Sequence, residues 1–269
     1  MRKIFLPILF LIFACDSGKQ KQVDLSMYLF DVGLIQVNDV SSLNGGEQIT
    51  APHYFTNTAF LIRHPLGDLI WDTGFNDSVY QKPLGQPTSA FYSTMSTTLE
   101  SQLEQAKVDP TSVKYLAVSH LHPDHTGNMG LFANATMLLQ KEEYESLFMA
   151  EGGGPEHLKD NPTIILEGDH DVFGDGTVRI IRTPGHTNGH QVLWVNLPET
   201  GPVVLSGDLF LFRDEITSQG IPLFNVDQGA TEISITTVKQ LIYDTGAQLW
   251  VQHDSVQMKA IPHAPLVVR

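Results

Sequence analysis

The sequence predicts an α/β protein in which two β-sheets pack against each other beneath outer helices. Ten short apolar runs bounded by turn residues are typical of strands, and three further segments have helical periodicity. Strands dominate the first stretch and the third quarter of the chain, with helices between them, so two sheets can bury their apolar faces together. No Pro/Gly/Ser-rich linker divides residues 23–269, and we therefore expect one domain there.

The individual elements follow from the positions of these runs. The predicted strands span residues 25–30, 58–62, 69–71, 113–118, 137–139, 163–166, 178–181, 191–195, 203–205 and 249–251. The predicted helices span residues 96–107, 141–149 and 231–244. The first and last of these helices open with hydroxyl residues, which can accept hydrogen bonds from the free N–H groups of a helix start.

The first fifteen residues predict export. Two basic residues precede an apolar stretch at residues 4–13, which is shorter than the roughly 20 residues that a membrane-spanning helix needs. The only cysteine of the chain, Cys15, follows a small residue, and residues 12–15 resemble a bacterial lipobox. We expect residues 1–14 to be a signal peptide and 15–22 a polar tether on lipidated Cys15. The protein would then face the periplasm or exterior from a membrane anchor, with plain secretion as the alternative.

Composition limits the class of partner. The chain has 30 acidic and 16 basic residues, a formal net charge of −14, and 42% hydrophobic residues. Nucleic-acid binding depends on clustered Lys and Arg that displace counterions, so this balance argues against a nucleic-acid partner. An uncharged or weakly charged small molecule fits the composition better.

One segment concentrates the chemistry. The apolar run at 113–118 leads directly into SHLHPDH at residues 119–125, which places four potential metal ligands within six residues. Pro123 predicts a fixed turn instead of a helix at this point. Such a turn can direct His120 and His122 one way and Asp124 and His125 another, which suits two adjacent metal ions.

The His-x-His-x-Asp-His spacing resembles the signature of the metallo-β-lactamase superfamily. Further segments resemble the other turns of that family, in chain order and each after a predicted strand: Trp71-Asp72-Thr73-Gly74, Thr183-Pro184-Gly185-His186, Ser206-Gly207-Asp208 and Gln252-His253-Asp254. The resemblance covers residues 25–255. It implies an αββα sandwich, in which two mixed sheets are flanked by helices.

The resemblance also implies the ligands. They are His120, His122 and His186 for one metal, Asp124, His125 and His253 for the other, and Asp208 as the bridge. Asp72 and His190 would support ligands without binding metal themselves. Nitrogen and oxygen ligands without thiolate favour two Zn²⁺ ions, with Fe, Mn and Co as alternatives.

A pair of cations predicts hydrolysis, because a water ionised between them can attack a carbonyl carbon while Asp124 passes a proton to the leaving group. The stretches 60–74, 166–169, 183–191 and 208–215 resemble N-acyl-homoserine lactonases, the quorum-quenching branch of the superfamily. This resemblance implies opening of a lactone ring. Candidate contacts for the acyl chain are Phe210, Phe212, Leu223 and Phe224, and Leu211 is a further candidate residue of the substrate pocket. Leu211 stands where some lactonases place a substrate-contacting tyrosine.

Other hydrolases could share the ligand set. Class B β-lactamases are exported but lack an aspartate bridge of this kind. Glyoxalase-II-like thioesterases keep the bridge, yet carry a basic C-terminal region that this acidic chain does not offer. A carboxylesterase and a metal-holding lipoprotein without turnover also remain open.

Overall fold

The structure is a computed structural model that describes residues 23–43, 51–150, 154–213 and 220–269. The expected signal peptide (1–14), Cys15 and the tether (15–22) lie outside the described residues. No helix within the described ranges is long and apolar enough to cross a membrane.

The described residues form twelve strands and five α-helices. The strands are β1 (Ser26–Val37), β2 (His53–Arg63), β3 (Leu69–Trp71), β4 (Phe91–Thr94), β5 (Tyr115–Ala117), β6 (Thr136–Gln140), β7 (Thr163–Leu166), β8 (His170–Asp171), β9 (Val178–Arg182), β10 (Gln191–Leu197), β11 (Gly201–Leu205) and β12 (Gln248–Trp250). The helices are α1 (Leu99–Gln105), α2 (Pro123–Thr126), α3 (Lys141–Phe148), α4 (Gln228–Thr245) and α5 (Ser255–Ala260).

The strands build two mixed sheets. The first has seven strands in the order β4-β1-β2-β3-β5-β6-β7, antiparallel from β4 to β3 and parallel from β3 to β7. The second has five strands in the order β12-β11-β10-β9-β8, with only β11 and β12 parallel. The predicted fold class is confirmed.

Buried apolar side chains hold the layers together. Between the sheets, Phe60 and Trp71 of the first sheet pack in one cluster with Leu193 and Leu205 of the second. On the outer faces, α1 packs its leucines against the first sheet and α4 packs Val238 against the second. Each sheet is therefore covered on both faces, as the alternating strands and helices predicted.

Some elements differ from the prediction. Strands β4 and β8 were not predicted, because runs of four and two residues give too little periodicity to detect. The prediction of a fixed turn at Pro123 was wrong, since Pro123 begins the one-turn helix α2. The first position of a helix needs no N–H donor, and the fixed backbone angle of proline suits it.

Strand direction determines where the functional turns meet. In the first sheet β3 and β5 are parallel neighbours, so the turns after them leave the same edge. In the second sheet β9, β11 and β12 run in one direction, because β10 is antiparallel to both β9 and β11 while β12 is parallel to β11. The turns at residues 72, 119–125, 186, 208 and 253 follow these five strands.

Candidate metal centre

Seven side chains from four turns meet in two adjacent groups. The first group consists of His120, His122, His186 and Asp208, and the second of Asp124, His125 and His253. Within each group, one potential ligand atom per residue lies within 4.8 Å of the others. Six of the seven residues are buried or half-buried, and His122 is exposed.

Asp208 lies between the two groups. Its Oδ1 is 3.1 Å from Nε2 of His125 and 2.9 Å from Nε2 of His253, both in the second group. Its Oδ2 is 3.3 Å from Nε2 of His186 and 3.8 Å from Nε2 of His120, both in the first. One carboxylate therefore presents one oxygen to each group, which is the arrangement that a bridging ligand requires.

The spacing of the ligand atoms fits a bound cation. Nε2 of His186 lies 3.1 Å from Nε2 of His120 and 3.1 Å from Nδ1 of His122. Ligands of a tetrahedral metal at Zn–N distances near 2.0–2.1 Å are about 3.3 Å apart, close to these values. Nε2 of His125 and Oδ1 of Asp208 are buried and lie 3.1 Å apart, yet neither makes a hydrogen bond of acceptable geometry with any described residue. A cation would supply the missing partner of both atoms.

Three imidazoles are oriented by a hydrogen bond at the ring nitrogen that faces away from the cluster. In each, Nδ1 faces an oxygen acceptor, which leaves Nε2 directed at the cluster. The acceptors are Oδ2 of Asp72 for His125 (2.9 Å), Oδ1 of Asn225 for His186 (3.0 Å) and the carbonyl of Thr56 for His253 (2.7 Å).

Asp72 organises the backbone around the second group. It is fully buried and has a positive φ of 53°, which an aspartate adopts only at a cost in free energy. Besides His125, its carboxylate accepts hydrogen bonds from the backbone N–H and the hydroxyl of Ser119 and from the side-chain amide of Gln252. Asp72 thus connects the turns after β3, β5 and β12.

His190 is also buried beside the cluster and has a different role from the ligands. Its Nδ1 lies 3.1 Å from the Thr183 carbonyl, and its Nε2 accepts a hydrogen bond from the backbone N–H of Asp208. Burial, and then the nearby His186, lower the pKa of His190 to about 3. A neutral His190 is required for this pattern, and it fixes the turn that carries Asp208.

The buried imidazoles and carboxylates of the cluster shift one another's pKa in different directions. Burial and repulsion from neighbouring imidazoles hold the pKa of His120 well below its usual value. Burial raises the pKa of Asp208, but the surrounding imidazoles outweigh this effect and hold it well below its usual range. For His125, burial lowers the pKa, but the neighbouring carboxylates, of which Asp124 has the largest effect, outweigh burial and raise it well above its usual value. His120 is therefore neutral and Asp208 ionised, as metal ligands must be, whereas His125 favours a protonated form whose proton a bound cation would displace.

A cleft of about 670 Å³ opens beside the cluster. His122, Asp124, Asp208 and His253 line its polar end. The rest of its wall is mostly apolar and includes Ile35, Leu43, Phe55, Phe75, Leu84, Phe91, Leu211 and Phe224. A substrate with one polar, reactive end and one apolar end would fit this division of the surface.

The five candidate pocket residues fall in different places. Leu211 and Phe224 line the cleft, and Phe212 packs behind it against Phe55 with ring centroids 5.4 Å apart. Phe210 does not reach the cleft, contrary to the expected contact with the acyl chain, because its side chain is fully buried in the core cluster beneath α4. Leu223 is 59% exposed and lies outside the lining of the cleft.

Sequence reasoning missed most of the cleft wall. Phe91 lies on the undetected strand β4, and Leu84 lies on the turn that precedes it. The β-forming run FYST at residues 91–94 was the available signal. Asn225, which holds His186, was also missed, because a single asparagine in a loop gives no signal.

Comparison with known proteins gives a consistent result. Residues 55–246 match the Metallo-beta-lactamase superfamily. The chain is 32% identical over 258 residues to the N-acyl homoserine lactonase AttM of Azorhizobium caulinodans, covering 90% of this chain and 98% of that protein. It is 31% identical to AttM of Rhizobium johnstonii, with the same two coverages. A solved N-acyl homoserine lactone hydrolase, with N-hexanoyl-L-homoserine bound at its catalytic metal center, superposes with a TM-score of 0.77 at 24% identity, covering 90% of this chain and 98% of that one.

Proposed function

Since this chain belongs to the metallo-beta-lactamase superfamily, we propose that it is a metal-dependent lactonase that opens the ring of N-acyl homoserine lactones. One observation carries the proposal: a cluster of seven potential ligands, in which Asp208 presents one oxygen to each group, contributes four residues to the polar end of a mostly apolar cleft. The curated relatives named N-acyl homoserine lactonase match almost from end to end and support the same substrate class.

Each residue of the cluster has a role in this proposal. His120, His122 and His186 would hold one cation, Asp124, His125 and His253 would hold the second, and Asp208 would contribute one oxygen to each. Two bound divalent cations would lower the pKa of a water and polarise the ester carbonyl. Asp124 lines the cleft, so its carboxylate can take a proton from the attacking water and return it to the alkoxide of the opened ring.

The apolar part of the cleft would take the acyl chain. About 0.8 kcal/mol is gained for each buried methylene, so such a wall favours substrates with a long alkyl group. No phenol is available at Leu211, whose side chain is 2% exposed. Outside the ligand cluster, Ser93 is the one polar side chain in the described lining of the cleft, and it is the candidate to contact the amide of the substrate.

We propose zinc as the metal. The donor set of imidazoles and carboxylates without cysteine is one that Zn²⁺ binds in many hydrolases, although Fe, Mn and Co accept the same ligands. Stripping the purified protein with a chelator and adding back each divalent metal would decide among them. We expect Zn²⁺ to restore the activity at the lowest concentration.

The proposed reaction is tested with a substrate panel. The purified protein would be assayed on acyl-homoserine lactones of increasing chain length, a chromogenic β-lactam and a glutathione thioester, before and after chelation. We expect hydrolysis of the lactones, lost with the metal and regained on its return. Turnover of the thioester or the β-lactam alone would reassign the enzyme, and no turnover of any substrate would indicate a binding protein.

We further propose that the protein is exported and anchored in a membrane through lipidated Cys15. The support is the pattern of residues 1–15, a basic start, an apolar stretch and a cysteine after a small residue. Cys15→Ser is expected to release active protein from the membrane fraction, because one lipid-modified residue provides the anchor. Membrane association that survives this substitution would contradict the proposal.

A further inference from the structure

A buried carboxylate outside the metal centre contacts two of its turns. Glu143 lies in the first turn of α3 and is 5% exposed. Its Oε2 accepts a hydrogen bond of 3.1 Å from the backbone N–H of Leu121. Its Oε1 accepts one of 2.7 Å from the Thr187 hydroxyl and one of 3.0 Å from the backbone N–H of Gly189.

Two of these three donors adjoin ligands of the first group, and the third, Gly189, lies in the same turn as His186. Leu121 stands between His120 and His122, and Thr187 directly follows His186. The turns after β5 and β9 come from different sheets, and Glu143 joins them through one oxygen each. The second group has its own support, because Asp72 and the Thr56 carbonyl hold two of its imidazoles.

The charge of Glu143 has no cationic partner within the described ranges. The ion pairs found there do not include it, whereas the adjacent Glu142 pairs with Arg182 at 2.6 Å near the surface. Burial of a carboxylate without a cation is costly, and the two backbone N–H groups and the hydroxyl offset that cost. The contact is also close, since a Cβ added at Gly189 would lie 2.7 Å from Cγ of Glu143.

We propose that Glu143 is a positioning residue that sets the spacing between His120, His122 and His186, and so the metal affinity of the first group. It touches neither metal nor substrate. Partners that orient ligands from behind typically change metal affinity by about 10- to 100-fold, which is the size of effect we expect. The inference rests on the proposed dinuclear site.

The test measures metal bound per protein across a series of buffered free Zn²⁺ concentrations, using Glu143→Ala and Glu143→Gln. The wild type is expected to bind two metals. Glu143→Ala is expected to keep one metal at wild-type affinity and to bind the other about 10- to 100-fold more weakly. Glu143→Gln keeps the side-chain volume and one acceptor oxygen but turns an NH₂ group toward one turn, so an intermediate loss is expected.

Glu142→Ala is the matched control. It removes the same charge from the same helix turn but only breaks the surface pair with Arg182, and we expect two metals at wild-type affinity. Asp72→Ala is expected to weaken the other site, so that the double variant with Glu143→Ala loses both. Thermal unfolding of the metal-free proteins would show that Glu143→Gln is folded.

Two results would overturn the inference. Wild-type affinity at both sites in Glu143→Ala and Glu143→Gln would show that Glu143 does not position ligands. Equal weakening of both sites would show a general structural role instead. A wild-type protein that binds fewer than two metals would overturn the dinuclear site itself, which separates that failure from the failure of this inference.

Discussion

The ligand cluster and the apolar cleft beside it share a boundary but are built in opposite ways. In the cluster, side chains at strand ends are held by hydrogen bonds on the side away from the metal position, as Asp72 holds His125. In the cleft, side chains from separate strands and loops contribute mostly apolar surface, and Leu84 and Phe91 are 45% and 47% exposed.

This difference assigns hydrolysis to the ligand cluster and substrate preference to the cleft. A cluster of hydrogen-bonded ligands loses function when one member is removed, because the remaining polar groups are left buried without partners. Substitutions in an apolar wall change the substrate's binding free energy gradually, because each contact contributes in proportion to its buried area. Changes in the cluster are therefore expected to affect every substrate, and changes in the cleft to affect substrates by chain length.

The largest effect is expected from Asp208→Ala. This substitution removes the one carboxylate that faces both ligand groups, so we expect activity to fall by more than about 100-fold, beyond the loss of a supporting partner. Metal analysis is expected to show fewer than two metals bound. His157→Ala, an exposed histidine away from the cluster, is the control, and unchanged metal content in Asp208→Ala would contradict the assignment.

A smaller effect is expected from Asp72→Ala. The variant keeps all seven potential ligands but loses the acceptor that fixes Nδ1 of His125, so activity is expected to fall by about 10- to 100-fold. Kinetics on one short and one long acyl-homoserine lactone would measure it, and both substrates are expected to lose equally. A loss as deep as that of Asp208→Ala would place Asp72 among the ligands.

Cleft substitutions are expected to act on chain length. Leu84→Ala and Phe91→Ala each remove apolar wall, so we expect kcat/KM to fall about 10-fold for long acyl chains and little for short ones, given about 0.8 kcal/mol per methylene. Ile233→Ala is the control, an exposed apolar side chain on α4 that is outside the cleft lining. An equal fall in kcat/KM for short and long acyl chains would show that the cleft does not set the chain-length preference.

The smallest effect is expected outside both regions. Thr98 accepts a hydrogen bond from the backbone N–H of Ser101 at the start of α1, so Thr98→Ala is expected to lower the free energy of unfolding by about 1 kcal/mol. A thermal melt would record it as a shift of a few degrees. Metal content and chain-length preference are expected to stay unchanged, and a change in either would show that α1 is coupled to the site.

Much of the fold and the cluster could be predicted from the sequence, for a physical reason. Four of the seven potential ligands are His or Asp at short spacing after a strand, in residues 119–125, and this pattern is rare for any other reason. Buried strands such as β5 and β11 are apolar and bounded by turns, so they are visible too.

The rest depends on distant contacts that leave no local pattern. Phe210 and Leu211 are adjacent and both apolar, yet one packs into the core under α4 and the other lines the cleft. Which of the two side chains enters the core and which lines the cleft depends on the positions of α4 and β2 in the folded chain. Glu143 looks like any acidic residue in the first turn of a helix until its contacts with two ligand turns are seen.

The hydrogen bond between Asp72 and Gln252 joins residues 180 positions apart in the chain. Contacts of such long range form only after much of the chain has lost its freedom, which makes them slow to form. The unfolded polypeptide offers a cation little more than the short histidine-rich segment, so the complete binding site exists only when both layers have docked. Metal uptake during refolding would therefore follow the docking of the two sheets, and its rate would measure when that docking is complete.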